Sequence, residues 1–322
     1  MKIKETTLIG KMFFWSVIIL IGLSLILSSL NWITSWIALV LGFIYAILFR
    51  NPYKEKTENI TNKLLKASIV CIGFGYPIYA ITDLSSSLFY FIILFIITTL
   101  IIGFFIGKIL KVNSKTSDLI TSGTTICGAS AIVAVSSAIK ANEKELSIAL
   151  STVFILSASG LILFPIIGNY INLTPHQFGI WAGVCIHDTA SSIGAAIDFD
   201  KNFSNDEAEK VAIVIKLAKV IFIVPLVFLG SFLYKENERK IPFPYFIIFF
   251  IIAMFINSKF PDYTVFSFIK ELGKKGLQIS LFLIGSTLSI KEIIGIGIKP
   301  LIHGTLLWVI ISISSLFVIL LL

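Results

Sequence analysis

At 322 residues, 57% hydrophobic and only 14% charged, the chain carries too thin a polar surface for a soluble fold. Its mean hydropathy of +0.96 excludes a soluble enzyme, a disordered chain and a nucleic-acid binder, and leaves an integral membrane protein with many spanning helices. The net charge of +8 fits basic residues gathered in cytoplasmic loops, and the long continuous apolar runs argue against a β-barrel.

A spanning helix needs about 20 mainly apolar residues at 1.5 Å each. Eleven segments meet that description: 12–30, 33–49, 64–81, 87–108, 118–139, 146–169, 176–197, 211–233, 243–258, 276–291 and 299–322. The first two are separated only by Ser29, Leu30, Asn31 and Trp32, a tight hairpin. The longest polar linker, Arg50 to Lys63, has 14 residues, so residues 1–322 are expected to form a single polytopic membrane transport domain. The first apolar run is long enough to span and lacks a small-residue cleavage site, so no cleavable signal peptide is expected. Cys71, Cys127 and Cys185 all lie inside apolar stretches, which signals neither a disulfide framework nor a zinc site.

Placing the N-terminus in the cytoplasm puts about twice as many Lys and Arg in the inside loops as in the outside ones. That orientation, with the C-terminus outside, is the expected one, although the stretch from Lys259 to Lys275 falls on the outer side. A faint match, either an internal repeat or a chance likeness of two apolar helices, runs along the chain as well. Lys63, Leu65, Ser68, Ile72 and Gly73 match Lys275, Leu277, Ser280, Ile284 and Gly285 at constant offset. Segments three and ten run in opposite directions, the relation found in inverted-repeat transporters.

Two segments differ from the rest. In segment five, Thr121-Ser122-Gly123-Thr124-Thr125-Ile126-Cys127-Gly128-Ala129-Ser130 is small or polar on all faces. Glycine costs about 1 kcal/mol against alanine in a helix, and an unwound backbone is tolerable in a bilayer where it faces protein or a water-filled cavity. A broken helix is therefore expected between Ser122 and Ser130. Its new start would offer free amides to an anion, with Thr124, Thr125, Cys127, Gly128 and Ser130 as candidate contacts. In segment seven, Asp188 is a carboxylate deep in a span, with His187 beside it. An acid at the bilayer centre costs roughly 2.5–3.5 kcal/mol and marks an ion or proton path. Asp188 and His187 are the candidate coupling groups, and Thr189, Ser191 and Ser192 extend the candidate substrate surface. Lys216 and Lys219 in segment eight are candidate partners for an anion or for the Asp188 carboxylate. His303, near the start of the last segment, reads as interfacial. ATP-binding and hydrolase motifs are absent, and no catalytic set, metal site or cofactor is expected.

With these blocks in view, the chain resembles the YeiH-type UPF0324 membrane protein family, which carries a sulfate-exporter label. The resemblance rests on Gly123-Thr124-Thr125-Ile126-Cys127-Gly128-Ala129-Ser130-Ala131-Ile132 and on Phe178-Gly179-Ile180-Trp181-Ala182-Gly183-Val184-Cys185-Ile186-His187-Asp188-Thr189-Ala190. It continues through Lys216-Leu217-Ala218-Lys219 and the Gly285 helix and covers essentially the whole chain. Many members carry Glu-Val-Ala-Gln after the histidine, where this chain has Asp188-Thr189-Ala190-Ser191. The resemblance implies a bacterial inner-membrane transporter built on inverted repeats with unwound crossing helices.

Sequence and resemblance together predict an all-α integral membrane protein of ten or eleven transmembrane helices. The architecture expected is that of an inverted-repeat secondary transporter with a broken helix. The expected function is secondary-active transport of a small anion, sulfate or an organic sulfonate, coupled to protons or sodium. The partners are that anion, the coupling ion and the lipid bilayer, with no nucleic acid and with homo-oligomerisation left open. A cation/proton antiporter centred on Asp188 is the alternative, and an intramembrane enzyme using His187 and Asp188 ranks below both.

Overall fold

A computed structural model describes residues 8–25, 33–49, 51, 54–79, 86–203, 205–234, 245–260, 264–287 and 295–321. Fourteen α-helices account for most of them, and no strand occurs among the described residues. The all-α membrane class read from composition is the observed one. Four helical stretches are long and apolar enough to cross a membrane, Leu88–Ile109, Glu143–Tyr170, Glu207–Leu233 and Ile298–Leu321, and shorter apolar helices accompany them. The chain divides into two compact units. The first comprises Met1–Asp83 with Tyr245–Ile290, the second Leu84–Pro244 with Lys291–Leu322.

The first unit holds α1 (Leu8–Leu23), α2 (Ser35–Leu48), α3 (Lys54–Gly73), α12 (Phe246–Lys259) and α13 (Thr264–Thr287). Its core joins Phe14, Val17 and Ile21 to Ala38, Tyr45, Phe282 and Leu283. The repeated segments are α3 and α13, and they pack antiparallel. Gly276 faces Leu64 and Ser68, Gly273 faces Ser68 and Ile72, and Gly75 faces Lys270. Each matched glycine seats a neighbouring helix: a Cβ on Gly73 would meet Phe250 of α12 at 2.8 Å, and Gly285 lies against Leu39, Gly42 and Phe43 of α2. The correspondence continues one residue past each glycine. Asn257 Nδ2 donates to Phe74 O at 2.7 Å, and Asn51 Nδ2 donates to Ser286 Oγ at 3.3 Å. Phe74 and Ser286 keep the same sequence offset as the repeat. The two segments that match in sequence thus run in opposite directions within this unit. Segments three and ten begin earlier than their apolar runs, because Lys54, Lys63, Lys270 and Lys274 are helical too.

The second unit contains α4 (Ser86–Ile109), α5 (Ser114–Thr125), α6 (Ala129–Ala138), α7 (Glu143–Tyr170), α8 (Pro175–Cys185), α9 (Thr189–Asp200), α10 (Glu207–Ile221), α11 (Ile223–Leu233) and α14 (Ile298–Leu321). Segment five is interrupted where expected, between α5 and α6, and segment seven is interrupted as well, between α8 and α9.

Neither interrupted segment is a full crossing. Lys115 Nζ, at the start of α5, donates to Lys140 O, just past α6, at 2.8 Å. A Cβ on Gly123 would stand 2.7 Å from Ile132 Cδ1. The two arms therefore run antiparallel and return to one face. In the second pair, the Phe178 and Phe199 rings stack at 3.9 Å and Ser192 Oγ donates to Ala182 O at 2.8 Å. These arms also fold back on each other. Length gives the reason: arms of 12, 10, 11 and 12 residues reach about 15–18 Å, half of a hydrocarbon core about 30 Å thick. Segments five and seven, expected as spanning helices, are re-entrant hairpins.

The two hairpins enter from opposite faces, because the 28-residue α7 lies between their bases. Its start, capped by the reciprocal Asn142–Glu145 pair, follows the first hairpin. Its end meets the base of the second, where Asn202 Nδ2 donates to Asn169 Oδ1 at 3.2 Å. A second capping box, Thr174 with Gln177, and Pro175 in the first turn start α8 there. From that face α10 and α11 return, and Tyr234 Oη donates to Asp118 Oδ2 at the first hairpin's base at 2.6 Å. Within this unit, Lys108, Lys111, Lys115, Lys140, Lys144 and Lys299 then share one face, while Lys201 and Lys210 lie at the other. Folding segment five back moves Lys140 and Lys144 onto the basic face, which sharpens the inside–outside asymmetry. The loops with Lys2, Lys4, Arg50, Lys235, Arg239, Lys240 and Lys291, which also entered the orientation argument, lie outside the described residues.

Single cysteines in a cysteine-free background test the hairpin directly. Lys111, Lys144 and Lys201 are exposed. Lys111→Cys and Lys144→Cys should react with a membrane-impermeant maleimide from the same side, and Lys201→Cys from the other. Reaction of positions 111 and 144 from opposite sides would restore a full crossing.

Candidate functional site

The tips of the two hairpins meet inside the second unit. At the first tip the chain leaves α5 with Ile126 N–H bonded to Ser122 O at 3.2 Å and Gly128 N–H bonded to Gly123 O at 2.9 Å. This six-residue closure resembles the Schellman ending of a helix. Gly128 then takes φ +68°, ψ −122°, a region that L side chains rarely enter, and α6 starts directly after it. A Cβ at Gly128 would lie 3.2 Å from Asp188 Cβ and 3.3 Å from Asp188 Cα. Glycine therefore serves two needs here, the backbone turn and the contact between tips.

At the second tip, Ile186 and Asp188 are extended, and Asp188 caps α9 by accepting Ser191 N–H on Oδ1 at 3.0 Å. Its own N–H donates to Ser157 Oγ of α7 at 3.2 Å. Asp188 is buried, as are His187, Thr189, Ser191 and Ser192.

The broken segments leave four helix ends near the crossing. The starts of α6 and α9 carry partial positive charge, and the ends of α5 and α8 partial negative charge. Asp188 caps α9, whereas α6 has no side-chain cap. Ala129 in its first turn is half-buried, and Ser130 is exposed. Lys216 and Lys219, both fully buried on α10, address the end of α8. Lys216 Nζ donates to Ile186 O and, at 3.1 Å, to His187 O. Lys219 Nζ donates to Val184 O at 2.8 Å and stands 4.7 Å from the Phe95 ring centre. Two lysine side chains thus meet the carbonyls that the break leaves without helical partners. Among the described residues no ion pair joins either lysine to Asp188; their hydrogen bonds go to the main chain.

The structure brings Gly128, His187, Asp188 and Lys216 together and sets the other candidates around them. Thr124 and Thr125 close α5. The Thr125 hydroxyl donates to Thr121 O at 2.7 Å, and that of Ser192 to Ala182 O. Cys127 is buried in the first tip. Thr124 Oγ1 and both ring nitrogens of His187 are buried without a hydrogen-bond partner among the described residues. His303 is buried, with Nε2 at 3.4 Å from Thr121 Oγ1, so it belongs to the helix packing of the first hairpin.

Ser157, Phe95 and Trp308 were not among the sequence candidates. Ser157 sits in a helix whose other small residues serve packing, and nothing in its neighbours in sequence sets it apart. Trp308 offered a signal: it lies mid-helix, away from the membrane interfaces where tryptophan usually gathers.

Half-length hairpins opposed tip to tip, among full-length apolar helices, define a polytopic membrane protein with a polar crossing buried within its second unit. The chain belongs to the UPF0324 membrane protein family: the family described as Conserved hypothetical protein 698 matches residues 11–304. Curated relatives include a UPF0324 membrane protein of Bacteroides thetaiotaomicron, 41% identical over 288 residues, covering 88% of this chain and 86% of the relative. One from Porphyromonas gingivalis is 41% identical over 298 residues, covering 90% and 88%. One from Photobacterium profundum is 42% identical over 297 residues, covering 92% and 90%. No solved structure matches the chain.

Proposed function

We propose that the protein is a secondary-active transporter of a small anion in the bacterial inner membrane, coupled to protons or sodium, and not an enzyme. The observation that carries this reading is the Gly128–Asp188 contact between two opposed hairpin tips. Irregular backbone is tolerated at such depth where it faces protein or a water-filled cavity, and a titratable acid there marks an ion path. The preference for an anion comes from the helix ends. Gly128 gives the α6 start no capping side chain, and Lys216 and Lys219 meet the α8 end, so a positive partial charge and two basic side chains stand at the crossing. Sulfate and organic sulfonates are the first substrates to test, on the family's sulfate-exporter label. The face with Lys108, Lys111, Lys115, Lys140 and Lys144 is assigned to the cytoplasm, which fits a cytoplasmic N-terminus.

Counterflow in proteoliposomes tests the reading. Labelled sulfate or methanesulfonate should exchange against unlabelled anion, and an imposed pH or sodium gradient should drive net uptake. Cation–proton exchange without any anion flux would overturn the reading and select the antiporter centred on Asp188.

A further inference from the structure

Beside the second hairpin tip lies a group of aromatic rings that the crossing itself does not use. Trp181 of α8 stacks on Phe164 of α7 with ring centres 4.0 Å apart, and Phe164 stacks on Trp308 of α14 at 5.9 Å. Trp308 in turn faces His187, with ring centres 6.2 Å apart and planes inclined by 42°. Gly160 on α7 lets Ile186 and Trp308 approach its helix closely: a Cβ there would touch Ile186 Cγ1 at 3.3 Å and Trp308 Cζ2 at 3.5 Å.

The two indoles are treated differently. Trp181 Nε1 donates to Ser312 O at 3.0 Å. Trp308 Nε1 has no partner among the described residues, although the side chain is only 9% exposed. The same holds for both nitrogens of His187, which is 0% exposed. A buried polar group left unmatched costs about 1–3 kcal/mol. Adjacent orphaned groups on different elements indicate that something else completes them. The indole N–H can only donate, and a neutral imidazole offers one donor besides its acceptor. Two donors carried on two different elements suit a species with at least two acceptor oxygens. The Lys216 ammonium on His187 O adds positive charge at the same tip.

We propose that Trp308 and His187 form an oxyanion-binding subsite, in which the indole N–H and the imidazole N–H each donate to one oxygen of a sulfate-, sulfonate- or carboxylate-type substrate. The subsite deepens the anion-transport reading and rests on it. It makes α14 a direct contributor to recognition. Trp308→Phe retains an aromatic ring against Phe164 and deletes only the donor.

The probes are inorganic sulfate, methanesulfonate and acetate, titrated into the full-length detergent-solubilised protein. Calorimetry should show the best-bound probe weakened about tenfold by Trp308→Phe, as expected for one lost hydrogen bond to a charged acceptor. In 5-fluorotryptophan-labelled wild-type protein, the Trp308 fluorine resonance should shift saturably with the probe, while that of Trp181 should not. The labelled wild type keeps the test open if Trp308→Phe fails to fold. Binding by wild type without a Trp308 shift, and with unchanged affinity in Trp308→Phe, would overturn the subsite and leave the anion reading standing. A variant that loses thermal stability but keeps its affinity would also overturn it, assigning the indole N–H to a structural water. If wild type binds none of the three probes, the anion reading falls, and the subsite with it.

Discussion

Replacing Asp188 by asparagine should leave a protein that inserts and folds but whose transport no longer responds to pH or to the coupling ion. The reason lies in the two tasks of this carboxylate. As the cap of α9 it accepts Ser191 N–H, and asparagine caps a helix about as well as aspartate. As an acidic group at the crossing it lies against Gly128, the residue that starts α6, with Lys216 and His187 at the second tip and Cys127 in the first. An ionised carboxylate repels an anion placed at that start, and asparagine removes the repulsion. Anion affinity in Asp188→Asn should therefore exceed that of wild type and no longer vary with the coupling ion. Asp188→Ala separates the tasks: it should lose the same pH response and, in addition, about 1 kcal/mol of stability with the cap, or about 2 °C in apparent Tm. The readouts are proteoliposome uptake against pH and thermal unfolding in detergent. Wild-type pH and ion dependence in Asp188→Asn would reduce Asp188 to a cap.

The second large effect belongs to Gly128→Ala. At φ +68°, ψ −122° an alanine pays a backbone penalty of about 1–3 kcal/mol. Its Cβ also meets Asp188 N, Cα and Cβ at 3.2–3.4 Å, so the tips must separate by a few tenths of an ångström. The contact lies between two elements that enter from opposite faces, and neither can yield without moving its whole hairpin. Transport should fall by at least tenfold, a loss that small displacements at a binding site can produce, while the protein still reaches the membrane. Gly22→Ala is the control, since nothing lies within 4 Å of a Cβ there, and it should match wild type in uptake with a Tm no lower than that of wild type. Normal transport by Gly128→Ala would show that the tips have slack and that their contact does not define the site.

Much of the site could be read from sequence because its residues violate the local rule of an apolar span. Gly128 stands in a block too small and polar to hold a helix, and Asp188 is too costly in lipid to be incidental. Each was recognisable alone, as was the break between Ser122 and Ser130. What each touches was another matter. Lys216 and Lys219 looked like partners for an anion or for Asp188, yet their hydrogen bonds go to Val184, Ile186 and His187 carbonyls. Those acceptors exist only because α8 ends there, and a main-chain carbonyl leaves no mark on residue identity. Ser157 and Trp308 stayed hidden for a related reason. They come from helices roughly 30 and 120 residues away from Asp188 in sequence, and only the packed fold brings them to it.

The sequence by itself determined that this is an all-helical membrane protein, and where two of its spans must be interrupted or polar. Apolar transfer free energy fixes those features residue by residue, and it is summed along the chain without regard to direction. For that same reason hydropathy could not tell a crossing from a hairpin. The 22 residues of segment five have the same transfer energy whether they continue across the bilayer or turn back at Gly128. The tertiary structure decided between them, through Gly123 against Ile132, Lys115 on Lys140, and the stacked Phe178 and Phe199. Close packing between arms and the contact of one tip with the other are properties of residues far apart in sequence. They set the direction of the chain, and with it the meeting of Gly128 and Asp188 at the centre of the second unit.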